Sequence, residues 1–119
     1  MSDSLLELAE RYKQFVDDRN WDQFHTPQNL AMAISIEASE LLDEFLWFNN
    51  PPTVKVREDD ELMEAVQDEL ADILIYTLGM ANQLDIDLSE AVVQKMAENE
   101  ERFDEELAAD LSEQLAKWQ

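Results

Sequence analysis

The sequence contains no cysteine, one glycine, three prolines and one histidine among its 119 residues. Without cysteine, the chain can form neither a disulfide nor a thiolate metal site. The scarcity of glycine and proline argues against a multi-stranded sheet, because sheet hairpins usually need glycine-containing turns. A di-iron helical bundle also fits poorly, since it expects Glu-x-x-His pairs and His25 stands alone before Thr26-Pro27. These absences favour an all-α fold.

Positive charge is scarce as well: eight Lys and Arg against 29 Asp and Glu give a formal net charge of -21. A field of this sign repels nucleic acid polymers and anionic membranes, so neither is predicted as a partner. No apolar run reaches the ~20 residues of a membrane span, and residues 1–4 lack the basic charge of a leader. We therefore expect a soluble, cytoplasmic protein whose phosphate ligands, if any, would need accompanying metal ions.

The spacing of apolar residues predicts a bundle of four to five helices within a single domain. The helices are expected at about residues 4–18, 27–49, 58–84 and 87–104, followed by a short C-terminal helix. Residues 21–25 and 50–58 are expected to be loops. The predicted domain covers residues 1–119, with a core at about 4–104 and a C-terminal helical extension at 105–119.

The third predicted helix is apolar on nearly all sides between residues 70 and 78. Such a helix is normally buried on several sides, and a chain with few helices offers few neighbours to cover it. We therefore expect a homo-oligomer, either a dimer or a dimer of dimers. A central helix in a monomeric bundle is the alternative.

Two predicted helices carry carboxylates three residues apart: Glu37 and Glu40 on one, Glu69 and Asp72 on the other. Residues at this spacing share a helix face. These acids lie in largely apolar segments, where an unpaired charge is unfavourable unless a cation accompanies it. Four such carboxylates would suit Mg2+ or Mn2+. In so acidic a chain the pairs could equally be solvated helix faces, and spacing alone leaves both interpretations open.

Several motifs, including the two carboxylate pairs, follow one another along residues 17–103. They are Trp21-Asp22-Gln23-Phe24-His25-Thr26-Pro27-Gln28-Asn29-Leu30, Glu37-Ala38-Ser39-Glu40, Phe45-Leu46-Trp47, Asp68-Glu69-Leu70-Ala71-Asp72, and Lys95, Asn99 and Arg102. Together they resemble the MazG-like all-α nucleoside triphosphate pyrophosphohydrolases, most closely the compact dCTP pyrophosphatases. The chain departs from that pattern in having Gln28 where a basic residue is common, and in adding residues 104–119.

The resemblance implies a magnesium-dependent enzyme (Mn2+ is the alternative) that cuts a nucleoside triphosphate to the monophosphate and pyrophosphate. It further implies a house-cleaning role with dCTP or a related deoxynucleotide as the first candidate substrate. The competing hypothesis is a non-catalytic acidic helical bundle that binds a protein or a metal. By the resemblance, the catalytic metal ligands are Glu37, Glu40, Glu69 and Asp72.

Other site residues follow from the same resemblance. Asp43 would be an additional acid near the metal. Lys95, Asn99 and Arg102 share one helix stripe and would bind phosphate oxygens, although surface pairing with Glu98 or Glu101 is the alternative. The residues expected to line the base and sugar pocket are His25, Trp47 and Tyr76, which could instead have structural roles.

Overall fold

The computed structural model describes residues 4–118, which form six α-helices and one 3-10 helix and contain no strand. The α-helices are α1 (Leu5–Asp18), α2 (Pro27–Asp43), α3 (Thr53–Glu58), α4 (Asp60–Leu84), α5 (Leu88–Arg102) and α6 (Glu105–Ala116), and the 3-10 helix η1 is Asp22–Phe24. The all-α prediction is confirmed, but the expected four to five helices are too few. Residues 1–3 and 119, which belong to the predicted domain and its C-terminal extension, lie outside the described range.

Side-chain caps fix where five of the α-helices begin. In each, the residue before the helix accepts a hydrogen bond from the backbone N–H three positions on, at 2.8–3.2 Å. Such caps satisfy backbone donors that have no partner within the helix. The starts predicted at Thr26-Pro27 and Asp87 are confirmed. The capping residues are Ser4, Thr26, Asp59, Asp87 and Asp104.

Two boundaries differ from the sequence-based prediction. Helix α2 ends at Asp43 rather than near residue 49, because the chain tightens into turns with hydrogen bonds three residues apart, such as Phe48 N–H to the Phe45 carbonyl at 3.0 Å. The turns end at Asn50, whose positive φ of 46° cannot continue a helix. The predicted loop at 50–58 contains α3, which follows Pro52.

Residues up to Ile86 form one compact unit, in which α1, α2 and α3 all pack against α4. Its buried apolar core consists of Val16, Leu30, Leu62, Leu78 and Ala81. Residues from Asp87 onward form a second unit, which contains α5 and α6. The prediction of a single domain stays a prediction. Over residues 4–118, no helix combines the length and apolarity needed to cross a membrane.

The sole glycine, Gly79, lies in the interior of α4, next to side chains of α1 and α2. A Cβ atom at this position would lie 3.0 Å from Tyr12 Cε2 and 3.5 Å from Leu30 Cδ2. Glycine therefore lets the Tyr12 ring pack against the α4 backbone, at the cost of lower helix propensity.

Candidate functional site

Three carboxylates of the predicted metal site converge between α2 and α4. Glu37 and Glu40 lie one helical turn apart on α2, and Glu69 lies on the facing side of α4. One oxygen from each carboxylate lies within 4.8 Å of the other two. The packing of α2 on α4 thus brings together acids that are about thirty residues apart in sequence.

Two oxygens in this cluster are shielded from solvent and lack hydrogen-bond partners within residues 4–118: Glu37 Oε2 and Glu69 Oε2. Ionised carboxylates only accept hydrogen bonds, so neighbouring carboxylates cannot satisfy one another without a shared proton or a cation. Both ion pairs found in the described part of the chain, Lys55–Glu58 and Lys95–Glu98, lie elsewhere. The cluster is therefore acidic, crowded and uncompensated by protein cations.

The crowding raises the pKa of two of these carboxyl groups. For Glu37 the largest cause is the hydrogen bond that its carboxyl group could donate to Glu69 once protonated, followed by desolvation and repulsion from Glu69 and Asp72. For Glu40 the largest cause is the hydrogen bond that its carboxyl group could donate to Glu37 once protonated, followed by repulsion from the charge of Glu37, and the charge of Asp72 adds to the increase. A raised carboxyl pKa means that the cluster favours positive charge, either as a proton or as a cation.

The remaining predicted acids lie at the edge of this arrangement. Asp72, one turn after Glu69 on α4, is half-buried and acts on Glu37 and Glu40 through its charge. It does not belong to the three-carboxylate group that meets within 4.8 Å in residues 4–118. Asp43 is exposed at the last position of α2.

The donor set fits a hard divalent cation. All of its atoms are carboxylate oxygens, the ligand type that Mg2+, Mn2+ and Ca2+ prefer. A cation would satisfy the two partnerless oxygens and remove the repulsion that raises the pKa of Glu37 and Glu40. The arrangement can therefore hold a divalent cation through side chains from two helices.

His25, one of the predicted pocket residues, packs against a tyrosine that the sequence analysis did not single out. The His25 and Tyr12 rings stack with centroids 6.1 Å apart and an interplanar angle of 24°. Burial raises the pKa of the Tyr12 phenol, and the nearby phenol of Tyr76 contributes to the increase. Tyr12 thus contacts His25 and lies close enough to Tyr76 for the two phenols to interact electrostatically. In the sequence, Tyr12 lies at helical spacing with the apolar residues Leu8 and Val16, a pattern typical of the packed face of a helix.

Trp47, the third predicted pocket residue, lies in the turns after α2 and is 91% exposed. It therefore has no role in the apolar core. An exposed indole can stack on a base without displacing protein contacts.

The three predicted phosphate-binding residues lie on α5, in the second unit. Lys95, Asn99 and Arg102 line one open cavity of about 300 Å3, together with Glu98 and Glu101. Lys95 Nζ lies 3.4 Å from Glu98 Oε2, so the surface pairing considered as the alternative does occur for this lysine. The Arg102 guanidinium lies over the Phe103 ring, 4.9 Å from its centroid.

Known proteins resemble this chain in both sequence and structure. dCTP pyrophosphatase 1 from Mus musculus is 33% identical over 100 residues, covering 84% of this chain and 59% of the relative. The Homo sapiens protein of the same name is 33% identical over 105 residues, covering 88% and 62%. The chain thus spans about three fifths of the length of these curated relatives. A pyrophosphatase from Archaeoglobus fulgidus is 37% identical with a TM-score of 0.72, covering 88% of this chain and 96% of that one.

A family model described as MazG-like matches residues 32–117, which is well over half of the chain and includes the carboxylate cluster. Together with the archaeal structure, this match confirms the resemblance drawn from the ordered motifs. The chain belongs to the MazG-like family.

Proposed function

We propose that this protein hydrolyses a nucleoside triphosphate to the monophosphate and pyrophosphate, with Mg2+ as its cofactor. The relatives named as pyrophosphatases support this activity. The observation that carries the proposal is the convergence of three carboxylates within 4.8 Å, with two solvent-shielded oxygens left without partners in the described residues.

In this proposal Mg2+ is held by Glu37, Glu40, Glu69 and Asp72, with Mn2+ as a possible substitute. When bound, the cation would offset negative charge on the triphosphate and increase the acidity of water. The acids themselves have two tasks: they hold the cation between α2 and α4, and a carboxylate oxygen not engaged with it accepts the proton of the attacking water. Asp43 supplies a further acceptor near the end of α2.

Water attacks the α-phosphorus, and the bond from this phosphorus to the oxygen bridging to the β-phosphate breaks. Pyrophosphate leaves with the bridging oxygen. In our proposal Lys95, Asn99 and Arg102 bind phosphate oxygens. The positive charges of Lys95 and Arg102 stabilise the negative charge that develops on the leaving group.

His25, Trp47 and Tyr76 are proposed to line the pocket for base and sugar. We propose a deoxynucleotide substrate, with dCTP or a related pyrimidine nucleotide as the first candidate. The corresponding role is house-cleaning of the cytoplasmic nucleotide pool. The net charge of -21 disfavours a nucleic acid polymer as substrate.

We further propose that the protein works as a homo-oligomer, a dimer or a dimer of dimers. Three apolar residues of α4 support this, since Leu70, Leu74 and Ile75 are 53%, 39% and 37% exposed in the single chain. An apolar face of this kind is normally covered by another protein surface.

The test is an assay of the common NTPs and dNTPs with Mg2+ that separates pyrophosphate from orthophosphate. We expect pyrophosphate release from at least one deoxynucleotide, and loss of turnover in Glu69→Gln and Asp72→Asn. Glu64→Gln is the matched control, because Glu64 is an exposed acid on the same helix outside the cluster.

Full metal-dependent activity in both Glu69→Gln and Asp72→Asn would contradict the proposal. Absence of turnover with every triphosphate, combined with stabilisation by a metal or a protein partner, would favour the non-catalytic acidic bundle instead. Circular dichroism of each variant checks that its helices persist.

A further inference from the structure

One hydrogen bond between two side chains joins distant parts of the first unit. Gln83 Nε2, in the last turn of α4, donates to Asp22 Oδ1 in η1 at 2.7 Å, across 61 positions of sequence. Every other hydrogen bond between two side chains in residues 4–118 connects residues three or four positions apart. The acceptor is a carboxylate, which makes this bond stronger than one between neutral groups.

Asp22 begins the 3-10 helix that leads directly into His25. The backbone carbonyl of Asp22 accepts a hydrogen bond from the His25 N–H at 3.0 Å. On the other side of η1, Asn29 Nδ2 donates to the Phe24 carbonyl at 3.0 Å. The backbone before His25 is therefore held from α4 through Gln83 and from α2 through Asn29.

The Gln83–Asp22 bond also forms part of a cavity wall. A cavity of about 210 Å3 is lined by both residues, by His25, and by Tyr12 and Gly79. None of the acids of the carboxylate cluster lines this cavity. A change in the bond would therefore alter the environment of His25 without removing a group from the cluster.

We propose that Gln83 is a positioning residue which, through Asp22, holds His25 in its stacked arrangement on Tyr12 and so sets the affinity for the nucleotide. The kinetic part of this inference rests on the proposed function, in which His25 contacts base or sugar. Because the acids stay in place, loss of the bond should raise KM and leave kcat nearly unchanged, as expected when the bound substrate and the transition state lose the same binding energy.

The test uses four variants of the full chain: Gln83→Ala, Gln83→Glu, Asp22→Asn and the double variant Asp22→Asn/Gln83→Glu. Gln83→Glu places two carboxylates against each other, whereas Asp22→Asn keeps a carbonyl acceptor for Gln83. In the double variant the donor and acceptor exchange places, so the bond can form again with reversed polarity. Gln14→Ala is the matched control, because Gln14 donates to Asp18 at 2.6 Å within α1 and positions no other segment.

Two measurements are made on each variant. The chain has a single histidine, so the imidazole C–H signals of tag-free protein in 1H–13C NMR spectra report on His25 alone. Steady-state kinetics with dCTP and Mg2+, or with the triphosphate turned over fastest, give KM and kcat separately. The first measurement requires no catalytic activity.

We expect Gln83→Ala and Gln83→Glu to move the His25 signals toward those of a free imidazole. Their KM should rise by about tenfold, the order expected for loss of one hydrogen bond to a charged group. The double variant and Gln14→Ala should stay near wild type in both measurements, whereas Asp22→Asn should lie between wild type and Gln83→Ala, because its acceptor is neutral.

Unchanged His25 signals in Gln83→Ala and Gln83→Glu would overturn the inference. So would a folded double variant that behaves like Gln83→Glu, or a lower melting temperature with unaltered His25 signals and KM. If the wild type turns over no triphosphate, the proposed function fails, while the NMR comparison still decides whether Gln83 positions His25.

Discussion

Replacement of Gly79 by alanine tests the close packing of α1 on α4 against helix propensity. Alanine in a helix interior is favoured over glycine by about 1 kcal/mol. Against this, the added Cβ would lie 3.0 Å from Tyr12 Cε2, and overpacking of this kind costs about 1–3 kcal/mol. The Tyr12 ring cannot move freely, because it stacks on Phe15 at 5.9 Å and on His25 at 6.1 Å. The cost of overpacking should therefore exceed the gain in helix propensity.

We expect Gly79→Ala to be less stable than wild type by about 1 kcal/mol, a decrease in melting temperature of roughly 4 °C. Urea unfolding followed by circular dichroism measures the difference. The control is the same substitution in a Tyr12→Leu background, which removes the Cε2 atom and should allow alanine to stabilise α4. Equal stabilisation by Gly79→Ala in both backgrounds would refute the proposed packing.

Three further predictions concern the cluster, the core and α5. The raised pKa values of Glu37 and Glu40 mean that, without metal, the native state holds protons that the unfolded chain has released. The contribution of these protonated carboxyl groups to stability is complete below pH 4.5, the ordinary carboxyl pKa, and is lost as the pH rises through the native pKa. The melting temperature of metal-free Glu37→Gln relative to that of wild type should thus increase as the pH is raised above 4.5, and a difference that stays constant with pH would contradict this. Leu30→Ala should lower the free energy of unfolding in urea by about 2–5 kcal/mol, because Leu30 is only 2% exposed, and a loss below ~1 kcal/mol would contradict its core position. Arg102→Ala should lower kcat/KM for the triphosphate about tenfold or more, as expected for loss of a charge-assisted hydrogen bond. Lys55→Ala is the control and should leave kcat/KM unchanged, because Lys55 is a salt-bridged cation elsewhere in the chain. Equal effects of the two substitutions would indicate general electrostatic attraction instead.

Local sequence patterns sufficed for most of the helical architecture. Thr26-Pro27 and Asp87 mark helix starts through short-range chemistry, namely a side-chain acceptor for backbone N–H groups. The end of α2 was predicted too late because Phe45 and Trp47 are compatible with a helix by type. Only the hydrogen bonds of the turns and the left-handed backbone of Asn50 end the helix there.

The carboxylate cluster could be anticipated because spacing of three residues places Glu37 beside Glu40 on one helix face. The convergence of α2 and α4 was not contained in that spacing, since it depends on which faces pack together. The ordered family motifs provided this information indirectly. The structure adds that Glu37, Glu40 and Glu69 meet, while Asp72 acts at longer range.

The sequence alone could not predict long-range contacts between residues that belong to no recognisable motif. Gln83 and Asp22 are 61 positions apart, and neither belongs to a motif that predicts their hydrogen bond. Tyr12 has helical spacing typical of a core residue, and its stacking on His25 depends on how η1 returns to α1. Such contacts are set by the tertiary fold, so they become visible only when the helices are packed.

We propose that α2 and α4 together create a divalent cation site through the carboxylates of Glu37, Glu40 and Glu69. Titration with Mn2+, followed by electron paramagnetic resonance of the free ion, measures this binding without reference to any substrate. We predict that wild type and Glu64→Gln bind Mn2+ in competition with Mg2+, and that Glu69→Gln loses at least ~10-fold in affinity. Equal Mn2+ affinity in Glu69→Gln and Glu64→Gln would contradict the account.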